Sequence, residues 1–108
     1  MPVYPFEGNS GQEYRFMLMP WANLTHLTGQ AGIYIFAIGN VLQPIPVFIG
    51  EARRINDAVK GSETKRIAQD VYGAKFLYVH YSLEEGPRDA AYIDLVIRYK
   101  PDLNKGTA

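Results

Sequence analysis

Apolar residues recur at every second position in some stretches of this chain and at three- to four-residue spacing in others. In VYPFEGNSGQEYRFMLM, 3–19, two aromatic-rich runs flank a turn-forming GNSG, and Tyr14, Phe16 and Leu18 alternate with Glu13, Arg15 and Met17. That pattern predicts a β-hairpin. Pro20 should end it, because proline has no N–H to give to a strand ladder. WANLTHLTGQ, 21–30, reads as a loop or a short helical turn. GIYIFAI, 32–38, is a nearly continuous apolar run of β-branched and aromatic residues, as in a strand buried on both faces. GNVLQPIP, 39–46, reads as a connection, and the apolar VFIG after it predicts a second strand over 46–49.

From Ala52 the period lengthens. Ala52, Ile55 and Val59 fall at i, i+3 and i+7, one helical stripe with Arg53, Arg54 and Asp57 outside it. Gly61 should stop this helix, and Ser62 is placed to cap the next, SETKRIAQDVYG. There Ile67, Ala68, Val71 and Tyr72 are expected to face inward, with Gly73 as the C-terminal stop. KFLYVHYS alternates again and predicts a third, central strand over 76–81, with His80 half-buried within it. GPRDAAYIDLVIRYKP predicts a final helix over 88–99, with Pro87 in its first turn and Pro101 behind its end. Its middle is apolar almost all round, so it should be the most buried helix, with Leu95, Val96 and Tyr99 inside. Asp94 is the polar exception, and Arg98 stands four residues on, within pairing distance. The elements add up to an α+β fold: a small central, mostly antiparallel sheet flanked by helices, with an N-terminal hairpin extension.

With 108 residues the chain is long enough for one core and too short for two, so 1–108 is expected to be a single domain. Cysteine is absent, which removes disulfides and Cys-based zinc sites. His26 has no Cys, His or carboxylate at metal-ligand spacing, so a surface or packing role is expected for it. No apolar run approaches the ~20 residues that span a bilayer. The N-terminus lacks the regions of a secretory signal, and a cytoplasmic location without membrane partners is expected. Eleven basic and eleven acidic residues cancel, whereas proteins that attract phosphates non-specifically carry a basic excess on at least one face. The densest basic stretch holds Arg53, Arg54, Lys60, Lys65 and Arg66 against Asp57 and Glu63. A solvated helix face accounts for that modest surplus.

GIY at 32–34, FIG at 48–50, the helix that follows, and IDLVIRYKPDLN at 93–104 together resemble the GIY-YIG nuclease family. The likeness covers 32–104 in the family's order of strand, strand, helix, helix, strand, helix and a KP-x-x-N ending. Either tripeptide alone is weak; joined to YKPDLN, the signal is much stronger. The F-x-G-x-S-G-x-x-Y-x-F pattern of 6–16 also looks like the N-terminal extension of small stand-alone members, which assigns 1–20 to an extension and 32–104 to the core.

The resemblance implies metal-dependent phosphodiester hydrolysis. In the family two tyrosines help to activate water, a helix arginine neutralises charge in the transition state, a glutamate on the last helix holds Mg²⁺ or Mn²⁺, and a final asparagine supports the site. Tyr34 matches the first tyrosine and Asn104 the asparagine. At the second tyrosine stands Phe48, at the arginine Ala58, at the glutamate Tyr92, and at a frequently basic position after FIG, Glu51. The implied metal set is therefore missing. Asp94, two positions from Tyr92, is rotated by about 200° on a helix and points elsewhere; Arg54 and Glu51 are the residues that a rearranged site would recruit.

Three functions follow as expectations. One is a catalytically inactive nuclease-like domain that binds nucleic acid or a nucleoprotein, with Tyr34, Phe48 and Tyr92 as stacking surface beside Arg53, Arg54, Lys60, Lys65 and Arg66. The second is a protein-interaction regulator or inhibitor on the same scaffold. The third is an active endonuclease with a rearranged site, the one case in which Mg²⁺ or Mn²⁺ is implied as a cofactor. A basic–aromatic groove would favour nucleic acid; a dispersed basic pattern would favour a protein partner.

Overall fold

The computed structural model describes residues 3–19 and 27–105. Pro20, the first part of the loop after it and His26 lie outside them. The hairpin forms as β1 (Val3–Glu7) and β2 (Glu13–Met19), paired antiparallel with Tyr4 opposite Phe16 and Phe6 opposite Tyr14. β3 (Gly32–Asn40), β4 (Gln43–Ala52) and β5 (Phe76–Tyr81) complete a five-stranded sheet in the order β1-β2-β5-β3-β4. Every neighbouring pair is antiparallel.

The expected connection over 39–46 is instead mostly strand. β3 and β4 meet at a tight turn over Val41 and Leu42, where Asn40 Oδ1 accepts from the backbone N–H groups of Leu42 and Gln43 at 2.9 and 3.0 Å. Pro44 and Pro46 do not break β4 because it is an edge strand, where a missing donor is tolerated. A register shift between Phe36 and Ala37 relaxes the pairing there.

β4 also runs through Ala52, so the first position of the supposed helical stripe belongs to the strand. α1 (Ile55–Lys60) keeps the other two, Ile55 and Val59, buried. α2 (Glu63–Asp70) begins as expected, with Ser62 Oγ accepting from the Lys65 N–H at 3.0 Å. It ends earlier than the sequence suggested, and Val71 is 73% exposed rather than inward-facing.

Residue alternation along the sheet sorts the core into two layers. Tyr34, Phe36, Leu77 and Val79 point to the side covered by Ile55, Val59 and Ala68 of α1 and α2. Ile33, Ile35, Ile49 and Tyr78 point to the other, where Phe6 and Phe16 of the hairpin and Ala91 and Leu95 of α3 (Glu85–Tyr99) pack. α3 carries more buried residues than α1 or α2, but they form one stripe and not the whole apolar middle. Only Arg88, Ala91 and Leu95 are buried; Val96 and Tyr99 are half-buried, and Ile93 and Ile97 are exposed. His80 is half-buried as expected, its Nδ1 2.8 Å from the carbonyl oxygen of Arg15. No helix of the described residues is long and apolar enough to cross a membrane.

Asp94 does not pair along its own helix with Arg98. It reaches the turn between β1 and β2 instead: Ser10 donates through its backbone N–H at 2.8 Å and its hydroxyl at 2.6 Å, and the Tyr14 hydroxyl donates at 2.8 Å. Gly8 makes room for this, since a Cβ there would collide with the Asp94 carboxylate. The Ser10 hydroxyl, first among these donors, holds Asp94 below the usual aspartate range. A lowered folded-state pKa adds stability above the unfolded value of about 3.9, and that increment disappears as pH falls through the folded value. Thermal unfolding followed from pH 7 to pH 2 should show this acid loss in the parent. Asp94→Asn should be less stable at pH 7 and should show a smaller decline in acid. Equal acid declines in the two proteins would refute the clamp.

Candidate functional site

Tyr34 on β3 lies directly opposite Gly50 on β4. Its ring and hydroxyl occupy the space that a Cβ at position 50 would need, so the tyrosine of GIY and the glycine of FIG form a packing pair. Phe48 stands beside them, its ring centroid 5.9 Å from that of Tyr34 and 6.0 Å from Phe36, with which it stacks.

The YKPDLN segment delivers Asn104. Lys100 adopts the left-handed conformation (φ 44°), and its N–H bonds the Val96 carbonyl at 2.8 Å, closing α3 ahead of Pro101. The short helix α4 (Asp102–Lys105) then turns Asn104 back onto the edge strand. Asn104 Oδ1 accepts from the Ile49 N–H and its Nδ2 donates to the Ile49 carbonyl, each at 2.8 Å. The side chain thus does for the edge of β4 what another strand would do. The same Nδ2 lies 3.5 Å from the Tyr92 hydroxyl on α3.

These residues line an open cavity of about 290 Å³, formed by Tyr34, Phe48, Gly50, Glu51, Tyr92 and Asn104. Four of the five positions singled out from the sequence therefore meet in one place. The fifth, Ala58, is half-buried and packs against the core layer that contains Tyr34, without lining the cavity. Burial and the neighbouring Tyr92 raise the Tyr34 phenol above its ordinary range, which keeps it neutral.

Glu51 also borders a second cavity of about 200 Å³, shared with Ala52, Arg53, Glu85, Arg88 and Asp89. Arg88, only 5% exposed, donates through Nε to Glu51 Oε2 at 3.1 Å. Its Nη1 donates to the carbonyls of Ser82 and Leu83 at 3.2 and 3.3 Å. Burial, followed by the adjacent Asp89, raises the Glu51 carboxyl above its usual range, while Arg88 pulls it down. Arg88 is the site residue that the sequence reading missed. The available signal was its place at i, i+3, i+7 with Ala91 and Leu95, a basic residue on the buried stripe.

The basic residues expected beside the aromatic groove lie outside its lining. Arg53 borders the second cavity. Arg54 is exposed and paired with Asp57 at 2.8 Å, and Arg66 with Glu63 and Asp70 of its own helix. Lys60 is exposed, and Lys65 joins the Ser62 cap through its backbone. None of the five lines the cavity with Tyr34. Of the three aromatics, Tyr34 is 7% exposed, and Phe48 and Tyr92 are half-buried.

The donor set does not suit a hard divalent cation. Among the described residues, no three His, Cys, Asp or Glu side chains come together as a metal-binding group. The lining of the aromatic cavity holds one carboxylate, Glu51, and the Tyr92 phenol is a poor substitute for the further carboxylate oxygens that Mg²⁺ takes.

No protein-family model matches the chain, and no curated protein matches it. Solved structures do. The GIY-YIG N-terminal endonuclease domain of UvrC from Thermotoga maritima, bound to magnesium as its catalytic divalent cation, aligns with a TM-score of 0.58 at 20% identity, over 73% of this chain and 88% of that one. A tyrosine-to-phenylalanine point mutant of the same domain aligns with a TM-score of 0.58 at 21% identity, again over 73% and 88%. An asparagine-to-alanine mutant gives 0.58 at 20%, over 73% and 87%. The fold of this chain is that of a GIY-YIG domain.

Proposed function

We propose that this chain is a GIY-YIG scaffold without cleavage activity that works by binding a protein or nucleoprotein partner, with 1–108 acting as one unit in which the hairpin of 1–20 extends the core of 32–104. The lining of the 290 Å³ cavity carries this reading: the charged side chain there is the Glu51 carboxylate, and neither lysine nor arginine lines it. A phosphodiester would meet a negative charge where catalysis needs cations. Phe48 lacks the second hydroxyl, Ala58 the guanidinium and Tyr92 the metal carboxylate. Losing one transition-state donor typically costs about 10²–10³ in rate, and here the metal ligand is lost as well.

Incubation of the protein with single- and double-stranded DNA and RNA, with Mg²⁺ and then with Mn²⁺, should give no cleavage above a metal-free control. Cleavage that disappears on Tyr34→Phe would instead establish an active, rearranged site. A second reading, nucleic-acid binding, is favoured by the concentration of Arg53, Arg54, Lys60, Lys65 and Arg66 over 53–66. Affinity for an oligonucleotide that falls steeply with salt would support it.

A further inference from the structure

Three features meet at the outer edge of β4. Tyr34, Phe48 and Tyr92 wall one cavity. Glu51 lines both that cavity and its neighbour, where Glu85 and Asp89 also stand. Against these three carboxylates the two linings supply two cations, Arg53 and Arg88, and Arg88 is committed to Glu51 and two carbonyls. Ring faces attract cations through their quadrupole, most strongly where water is excluded, and a carboxylate at the rim of an aromatic box adds a direct counter-charge.

We propose that the aromatic cavity receives a basic side chain, lysine or arginine, of a protein partner, with its aliphatic stem between Phe48 and Tyr92 and its cationic head toward Glu51. This rests on the binding reading above and names the partner chemistry of that same site. Size fits: about 290 Å³ holds one long side chain, and it is below the usual range of sites that enclose drug-sized ligands. Charge fits as well. The Tyr34 phenol is held neutral by burial, and the crowding of Glu51 against Asp89 is relieved by one more positive charge. A phosphoryl group has no such partner among the cavity's lining residues.

The test is a titration of the full chain, followed by the ring signals of Tyr34, Phe48 and Tyr92 in aromatic NMR spectra. The probes are N-acetyl-lysine amide, N-acetyl-arginine amide, their neutral counterpart N-acetyl-norleucine amide, inorganic phosphate and Mg²⁺. At least one cationic amide should shift all three rings and bind about fivefold or more tightly than the norleucine amide. Glu51→Gln should erase that preference. Phe48→Leu, which keeps Glu51 and removes a ring, should reduce it, and this variant carries the test if the first does not fold. Equal binding of the norleucine amide, an absence of ring shifts, or shifts produced by phosphate or Mg²⁺ in place of the amides would each overturn the inference. Nucleic-acid cleavage by the same preparation would overturn the non-catalytic reading; failure of amide binding without cleavage overturns only the cation site.

Discussion

Arg88→Ala is expected to lower the unfolding free energy by about 3 kcal/mol, at the lower end of the ~3–5 kcal/mol typical of breaking a buried ion pair from one side. Arg88 is almost wholly buried, and its loss removes the donors to the Ser82 and Leu83 carbonyls and the counter-charge of the Glu51 carboxylate. The Glu51 side chain retains 23% exposure, so water recovers part of the cost. Urea unfolding of the parent, Arg88→Ala and Arg88→Met separates the contributions. If the polar contacts dominate, methionine should restore little of the loss although it replaces the apolar stem. Near-parental stability of Arg88→Met would show that packing, not the ion pair, is what Arg88 supplies.

Leu95→Ala should cost a comparable amount, about 2–5 kcal/mol, because the side chain is fully buried and the surrounding layer relaxes only in part around the space left. Its layer joins all five strands: Phe6 and Phe16 from the hairpin, Ile33 and Ile35 from β3, Ile49 from β4 and Tyr78 from β5. A fall in Tm of roughly 10 °C or more is the corresponding thermal result for a chain of this size. Ile97→Ala on the same helix is the control. That side chain is 48% exposed, and its removal should cost under about 1 kcal/mol. Equal losses at both positions would mean that α3 is buried all round after all.

Every element of the fold except α4 was legible along the chain, at least in part. The hairpin follows from alternation across GNSG, the buried β3 from its unbroken apolar run, and the start of α2 from Ser62. Boundaries were less legible. Pro44 and Pro46 read as loop residues because their tolerance depends on β4 being an edge, and edge position is a property of strand order. Ala52 satisfied a helical spacing and a strand equally well. The placement of Tyr34 against Gly50 follows from hairpin register, and that of Asn104 from the chain turn at Lys100 and Pro101.

The sequence alone indicated the fold class and the order of the five strands and three longer helices, both of which the structure shows. Only the tertiary structure decided which face of α3 is buried, that Asp94 holds the hairpin turn rather than Arg98, that Arg88 sits under Glu51, and that the basic residues of 53–66 stay out of the aromatic cavity. The reason is range. Periodicity and capping report interactions within a few residues, whereas the choice of partner for a charged group depends on what folding brings beside it: 37 positions away for Glu51 and Arg88, and 84 for Ser10 and Asp94. At those separations a charged residue on a helix looks the same in sequence whether it faces water or a buried counter-charge.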